Sequence, residues 1–367
     1  MKEITRKQFL RWLAASIGAV GGSSLLAACG QEDTPVPAAS PSPTPKALLP
    51  TPTGQATAVA TPTAGETATA TATAGASTAP TATAGETSVP TEAPPVGYPD
   101  LVVARGGEPE QLVRRAVAAL GGIERFVQPG HDVIVKPNIC VAYYTYEYAA
   151  TANPWVVGAL VKLCREAGAG RVRVMDSPFG GTAEEAYVRS GIQEHVVAAG
   201  GQMEIMSGFK YVPTDIPLGV DLRRCDIYDE ILNADVVIDV PIAKHHNLAR
   251  LTLGMKNLMG VIRDRPAMHA NLGQRLADLT SRVRPSLTVV DAVRILVRNG
   301  PTGGNLDDVR KMDTLIASPD IVAADSYAAT LFGVQPSELE YVRAGTAMGL
   351  GRMDLGNLRI EEITVVT

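Results

Sequence analysis

Cysteine is scarce in this chain. Four occur in 367 residues, and no two stand as C-x-x-C. An iron–sulfur cluster or a structural zinc site of the usual spacing is therefore not expected. Cys29 closes an N-terminal leader, which leaves Cys140, Cys164 and Cys225 for one disulfide at most. Basic runs are also missing. Lys and Arg number 33 against 38 Asp and Glu, and a mildly acidic chain without a basic stripe argues against nucleic acid as a partner. The G-x-S-x-G elbow, the H-E-x-x-H helix and the kinase set are absent. Asn299-Gly300-Pro301-Thr302-Gly303-Gly304 is glycine-rich but lacks the spacing of a P-loop or a dinucleotide fingerprint, and it reads as a turn.

Long apolar runs are few. Trp12 to Ala28 is roughly 17 residues, the short limit for crossing a bilayer, and Gly18, Gly21 and Gly22 weaken it as a helix. With Lys2, Arg6, Lys7 and Arg11 ahead of it and Leu26-Ala27-Ala28-Cys29 behind, it reads as a secretory signal rather than an uncleaved anchor. The last four residues resemble a bacterial lipobox, which implies lipid on Cys29. Thr5-Arg6-Lys7-Gln8-Phe9-Leu10-Arg11 resembles a twin-arginine export motif, with Lys7 where a second arginine is usual; lysine supplies the charge but not the planar fork of donors.

Residues 30–97 are almost all Thr, Ala, Pro, Ser and Gly. Thr63-Ala64-Gly65-Glu66-Thr67 returns as Thr83-Ala84-Gly85-Glu86-Thr87. The repeat has no apolar face to bury, so it cannot offset the entropy of ordering and reads as an extended tether. The expected organisation is an export signal at 1–29, a tether at 30–97 and one globular domain at 98–367, large enough for a substantial core.

Within that domain, short β-branched runs alternate with helical patterns. Leu101–Ala104, Asp132–Val135, Arg171–Met175, Val236–Val240, Leu287–Val290 and Thr314–Ala317 read as strands. Asn153-Pro154 marks the start of a helix, and Thr182-Ala183-Glu184-Glu185 resembles a capping box. This alternation predicts an α/β fold with a mainly parallel sheet and helices on both faces.

In such sheets ligands bind beyond the carboxyl ends of the strands. Lys136-Pro137-Asn138, Asp176-Ser177-Pro178, Lys244-His245-His246 and Asp291 each follow a predicted strand. Gly254-Met255-Lys256-Asn257-Leu258-Met259-Gly260, Arg263 and His269 come next along the chain. Two chemistries fit. Lys136, Lys244, Lys256 and Arg263 suit a phosphate or carboxylate, with Asn138, Ser177 and Asn257 as further ligand contacts. His245 or His246 with His269, Asp176 or Asp291 suits a divalent transition metal. Neighbouring histidines on an extended segment point opposite ways, so one of His245 and His246 is expected to face the site.

These residues carry a family resemblance. Lys136-Pro137-Asn138, Asp176-Ser177, Lys244-His245, Lys256-Asn257-Leu258-Met259-Gly260, His269, Asp291-Ala292, Gly300-Pro301, Ala317-Ser318-Pro319-Asp320 and Ala323-Ala324-Asp325 are similar in kind and order to the DUF362 proteins, from about Val133 to Gly351. Some members carry ferredoxin-like cysteine clusters, which this chain lacks; others carry twin-arginine signals. The resemblance implies a shared site at Lys136, Asn138, Asp176, Lys244, His245, Lys256, Asn257 and His269, without naming its ligand. The expectation is an extracytoplasmic lipoprotein that is an enzyme or cofactor-handling protein, with Lys244, His245, Asp176 and Lys136 as catalytic candidates. A tethered solute-binding lipoprotein for an anionic ligand is the alternative.

Overall fold

The computed structural model describes residues 97–366. The leader with Cys29 and the tether up to residue 96 lie outside the described residues. Among the described residues no helix is long and apolar enough to cross a membrane.

The first half of the domain alternates as its sequence pattern predicts. Strand β1 (Leu101–Arg105) leads to helix α1 (Pro109–Ala119), and β2 (Asp132–Pro137) to α2 (Pro154–Glu166). The Asn153 side chain accepts a hydrogen bond from Trp155 N and Pro154 sits at the first turn, so α2 starts where its cap requires. Strand β3 (Arg171–Val174) precedes α3 (Ala183–Arg189), α4 (Ile192–Ala198) and β4 (Gln202–Met203). The Thr182–Glu185 capping box closes on α3 as expected. A separate antiparallel pair, β5 (Tyr211–Asp215) and β6 (Arg224–Tyr228), follows, then α5 (Asp229–Asn233) and β7 (Val236–Val240).

The second half departs from simple alternation. After Pro241 the chain continues as β8 (Ile242–His246) and turns back as β9 (Arg250–Thr252). Helices α6 (Gly254–Asn257) and α7 (Leu272–Val283) precede two long strands, β10 (Leu287–Leu296) and β11 (Val309–Ser318). Helices α8 (Ile321–Thr330) and α9 (Glu340–Ala347) and strand β12 (Ile360–Thr364) complete the domain. The main sheet runs β12-β1-β11-β10-β7-β2-β3-β4, with β8 and β9 attached to β10. Its centre is parallel, β10-β7-β2-β3, while β11 is antiparallel to both β1 and β10.

Side-chain alternation splits the interior into two cores. Val102, Val133, Val135, Val236, Ile238 and Val289 face α1 to α4. Val103, Ile134, Val237 and Val290 face the opposite way, with α7, α8 and α9. The expected helices on both faces are present. Lys136 follows Ile134 in parity, and its Cα partner across the sheet is Asp239. Both therefore stand on the α7–α9 face at the carboxyl end of their strands.

One strand end lies elsewhere than the sequence suggests. Strand β10 continues past Val290 because its far half pairs with both β8 and β11. Asp291, expected beyond the strand as a metal ligand, is inside it and fully buried. Its carboxylate accepts from Asn153 N at 2.6 Å and Val293 N at 3.0 Å, which ties the start of α2 to the sheet. Burial pushes its pKa up to about 6. Removing that carboxylate in Asp291→Ala strands two buried N–H donors. A loss of about 2–4 kcal/mol is expected in urea unfolding, with Asp291→Asn losing less because it keeps one acceptor. A variant Asp291→Ala as stable as wild type would contradict the structural role.

Candidate functional site

The chain beyond β7 creates an opening. Strands β7 and β8 run along β10 in succession, joined by Pro241. Strand β2 pairs with β7 on this side and with β3 on the other, never with β8, and ends at Pro137, where Asn138 N still donates to Val240 O at 3.0 Å. The sheet parts there. The gap is walled by the segment after β3, the β8–β9 hairpin and the stretch from α6 to His269, and it encloses a cavity of about 670 Å³.

A buried polar network forms its base. The Lys136 ammonium donates to Asp176 Oδ1 at 2.8 Å, Asn257 Oδ1 at 3.0 Å and Pro137 O at 3.0 Å. These use all three of its protons. Asp176 Oδ2 accepts from Ile139 N at 2.6 Å. Asn257 Nδ2 donates to Asp239 Oδ1 at 2.8 Å and to Lys136 O at 3.2 Å. Asn138 bridges outward, giving Nδ2–H to Asn257 Oδ1 at 2.9 Å and accepting from Lys244 Nζ at 2.8 Å. Five elements, β2, β3, β7, β8 and α6, are thus joined through side-chain hydrogen bonds. Helix α6, which supplies Asn257 and Lys256, is itself held from α8, where Asp325 accepts from Gly254 N at 2.6 Å and Met255 N at 2.9 Å.

The network corrects the part expected of Lys136. It is fully buried and saturated, so it cannot hold a ligand; it neutralises Asp176. The cations left to the cavity are Lys244, Lys256, Arg263 and Arg265. Lys244 gives its second hydrogen bond to Ala150 O at 2.6 Å, and burial lowers its pKa. Lys256 makes no ion pair among the described residues. Burial, with Lys244 nearby, lowers its pKa to about 8. Arg265 clips the wall, donating to Ser177 O and Ser177 Oγ, both at 2.9 Å. Arg263 is exposed at the rim, where it donates to Gly208 O and lies 3.7 Å from Asp226 Oδ2.

Of the adjacent histidines, the site takes His246 rather than the expected His245. Nδ1 of His246 accepts from Leu248 N at 3.1 Å and Ala249 N at 3.2 Å. Burial and the neighbouring lysines lower its pKa to about 3, so the ring is neutral and carries its proton on Nε2, a donor in the cavity wall. His245 points the other way, where Nδ1 accepts from Gly300 N at 3.2 Å. The glycine turn packs there closely; a Cβ on Gly300 would overlap the His245 carbonyl oxygen.

The residues named for a metal do not come together in this geometry. His245 and Asp291 are committed to backbone N–H groups away from the cavity, and His269 is exposed at its edge, 3.2 Å from Pro266 O. Among the described residues no three His, Cys, Asp or Glu side chains converge to hold a metal ion. Three participants were given no site role by the sequence reading. Asp239 stands in a strand buried on both faces, with Oδ2 unpartnered, and burial pushes its pKa well above the usual carboxylate range. An acid in such a strand is itself a signal. Arg265 and Cys140, the latter beside Lys244, also line the cavity.

Fold and site define an α/β protein with a cationic cleft at a parting of the sheet. Residues 133–330 match the family model described as a domain of unknown function, DUF362, and the chain belongs to that family. It is 30% identical over 247 residues to a thylakoid-associated protein of Synechocystis, covering 65% of this chain and 74% of that one. Among solved structures, the lactate racemase apoprotein from Thermoanaerobacterium thermosaccharolyticum aligns at 11% identity and a TM-score of 0.36, over 61% of this chain and 55% of that chain. A protein from Thermotoga maritima aligns at 12% identity and 0.38, over 62% and 60%. The chain thus spans less than two thirds of either solved protein.

Gly260 roofs the ion pair. A Cβ there would overlap Asp176 Oδ1 and come within 2.7 Å of Lys136 Nζ. Breaking a buried pair typically costs about 3–5 kcal/mol. Gly260→Ala is expected to lose that much in chemical denaturation, and a loss below about 1 kcal/mol would contradict the packing.

Proposed function

We propose that the domain binds a small anionic ligand in this cavity and exchanges a proton with it through Lys256. One observation carries the reading. Lys244, Lys256, Arg263 and Arg265 line the cavity against a single carboxylate, Asp176, and Lys136 already neutralises that carboxylate. A carboxylate or phosphate group is the complement. Lys244, Lys256 and the Nε2–H of His246 would hold its oxygens. A lysine lowered to about 8 is also matched to acid–base work near neutral pH, which favours an enzyme or cofactor-handling protein over simple capture.

The test is titration with acetate, which stays ionised throughout. As pH rises through about 8 the Lys256 ammonium of the unliganded protein loses its proton, so acetate affinity falls above that pH. Lys256→Met should bind acetate at least about tenfold more weakly at pH 7. Its folding should not suffer. A lysine whose folded pKa lies below its unfolded value opposes folding while charged in both states, and the penalty fades as pH rises from about 8 toward 10.5. Lys256→Met should therefore melt no lower than wild type at pH 7. Unaltered acetate binding in Lys256→Met would overturn the reading.

We also propose that the chain is exported and held to a membrane through lipid on Cys29, with residues 30–97 as the tether. The leader residues support this, and a relative 30% identical is named as thylakoid-associated. Labelling with radioactive palmitate in a bacterial host should mark the full chain, and Cys29→Ala should abolish the label and release the protein from the membrane fraction. Membrane retention of unlabelled Cys29→Ala would reject the lipid anchor.

A further inference from the structure

The cavity is divided by polarity. Its buried side presents Lys244, His246 and Asn257. Its lining also includes two large apolar side chains left in solvent, Phe179 at 58% exposure and Leu248 at 67%. They come from separate segments, the stretch after β3 and the β8–β9 turn.

Neither is a loose loop residue. Phe179 N donates to Cys140 O at 3.0 Å, Gly180 pairs with Val141, and Arg265 clips Ser177 just before. Leu248 N is bonded to His246 Nδ1, and Ala249 beside it is buried. The backbone thus holds two apolar groups out in water at the edge of a cationic cavity. A phosphate occupies the space of a few waters, at about 30 Å³ each, and would leave most of 670 Å³ unfilled. Cavities of this size usually enclose a molecule with an apolar body and a few fixed polar anchors.

We infer that the ligand is an aromatic anion: its carboxylate or phosphate meets Lys244 and Lys256, and its ring lies against Phe179 and Leu248. This rests on the anion-binding reading above and adds the apolar half of the ligand. Phe179 offers a ring face or edge for offset stacking, and Leu248 closes over the apolar body from the other segment.

The experiment is calorimetry on the full chain at pH 7 with two matched pairs of probes, phenyl phosphate against inorganic phosphate and benzoate against acetate. The aromatic member of each pair is expected to bind about tenfold more tightly or better, the factor that desolvating part of a ring supplies. Phe179→Ala and Leu248→Ala should each erase most of that gain. Both side chains are exposed, so melting temperatures should stay near wild type and serve as the folding control. If aromatic and simple anions bind wild type equally, or if both variants keep the full gain, the inference is overturned while anion binding stands. If none of the four probes binds, or Lys256→Met binds them all like wild type, the anion reading fails and the inference fails with it.

Discussion

The site depends on one ammonium group taken out of water. Moving Lys136 and Asp176 into the interior costs several kcal/mol per ion, and their mutual attraction offsets this only if the remaining hydrogen bonds are made. They are made: Lys136 spends its protons on Asp176, Asn257 and Pro137 O, and Asp176 takes Ile139 N on its free oxygen. The pair adds little net stability on that account. What it does is fix geometry, because satisfying it requires the ends of β2 and β3 and helix α6 to meet at one point. Asn138 and Lys244 are placed by what they bond in turn.

The opening has a separate origin in strand pairing. A sheet whose strands all kept their neighbours would leave only its edge for a ligand. Here β10 is long enough to hold β7 and then β8, while β2 stops at Pro137. Past that point β8 has β10 and β9 as partners but not β2. Lys244 stands on the stretch without a β2 neighbour and reaches back to Asn138, the first residue past the end of β2.

Much of this was legible in the residues, and the failures share a cause. Polar groups at the ends of β-branched runs located Asn138, Asp176, Ser177 and the α6 segment, and the structure brings these to one cavity. Local pattern could not show how far a strand runs, since that is settled by partners distant in sequence. Strand β10 extends because β8 and β11 flank it, which turns Asp291 from a strand-end group into an interior brace. For the same reason parity on β8 was unknown, so alternation allowed one histidine to face the site without saying which. Asp239 was passed over, and Asp325, quoted within the resemblance, was given no role, for a different reason. They lie among apolar residues in a strand and a helix, where their meaning comes from Asn257, Gly254 and Met255 arriving from elsewhere.

Burial also explains why the cavity stays cationic although acids stand behind it. Asp239 and Asp325 lie close to Gly254 at the start of α6, and full charge on both would cancel much of the field from Lys244 and Lys256. Desolvation raises Asp325 to about 7, leaving it only about half ionised near neutral pH, and pushes Asp239 well above its ordinary value. Desolvation acts on Lys256 with the opposite sign of charge, lowering it only to about 8, and at pH 7 it remains mostly protonated. The same low-dielectric surroundings thus weaken the acids while the ammonium persists. The polarity of the site follows from where the lysines and acids are buried, not from a surplus of basic residues in a chain that carries a net charge of −5.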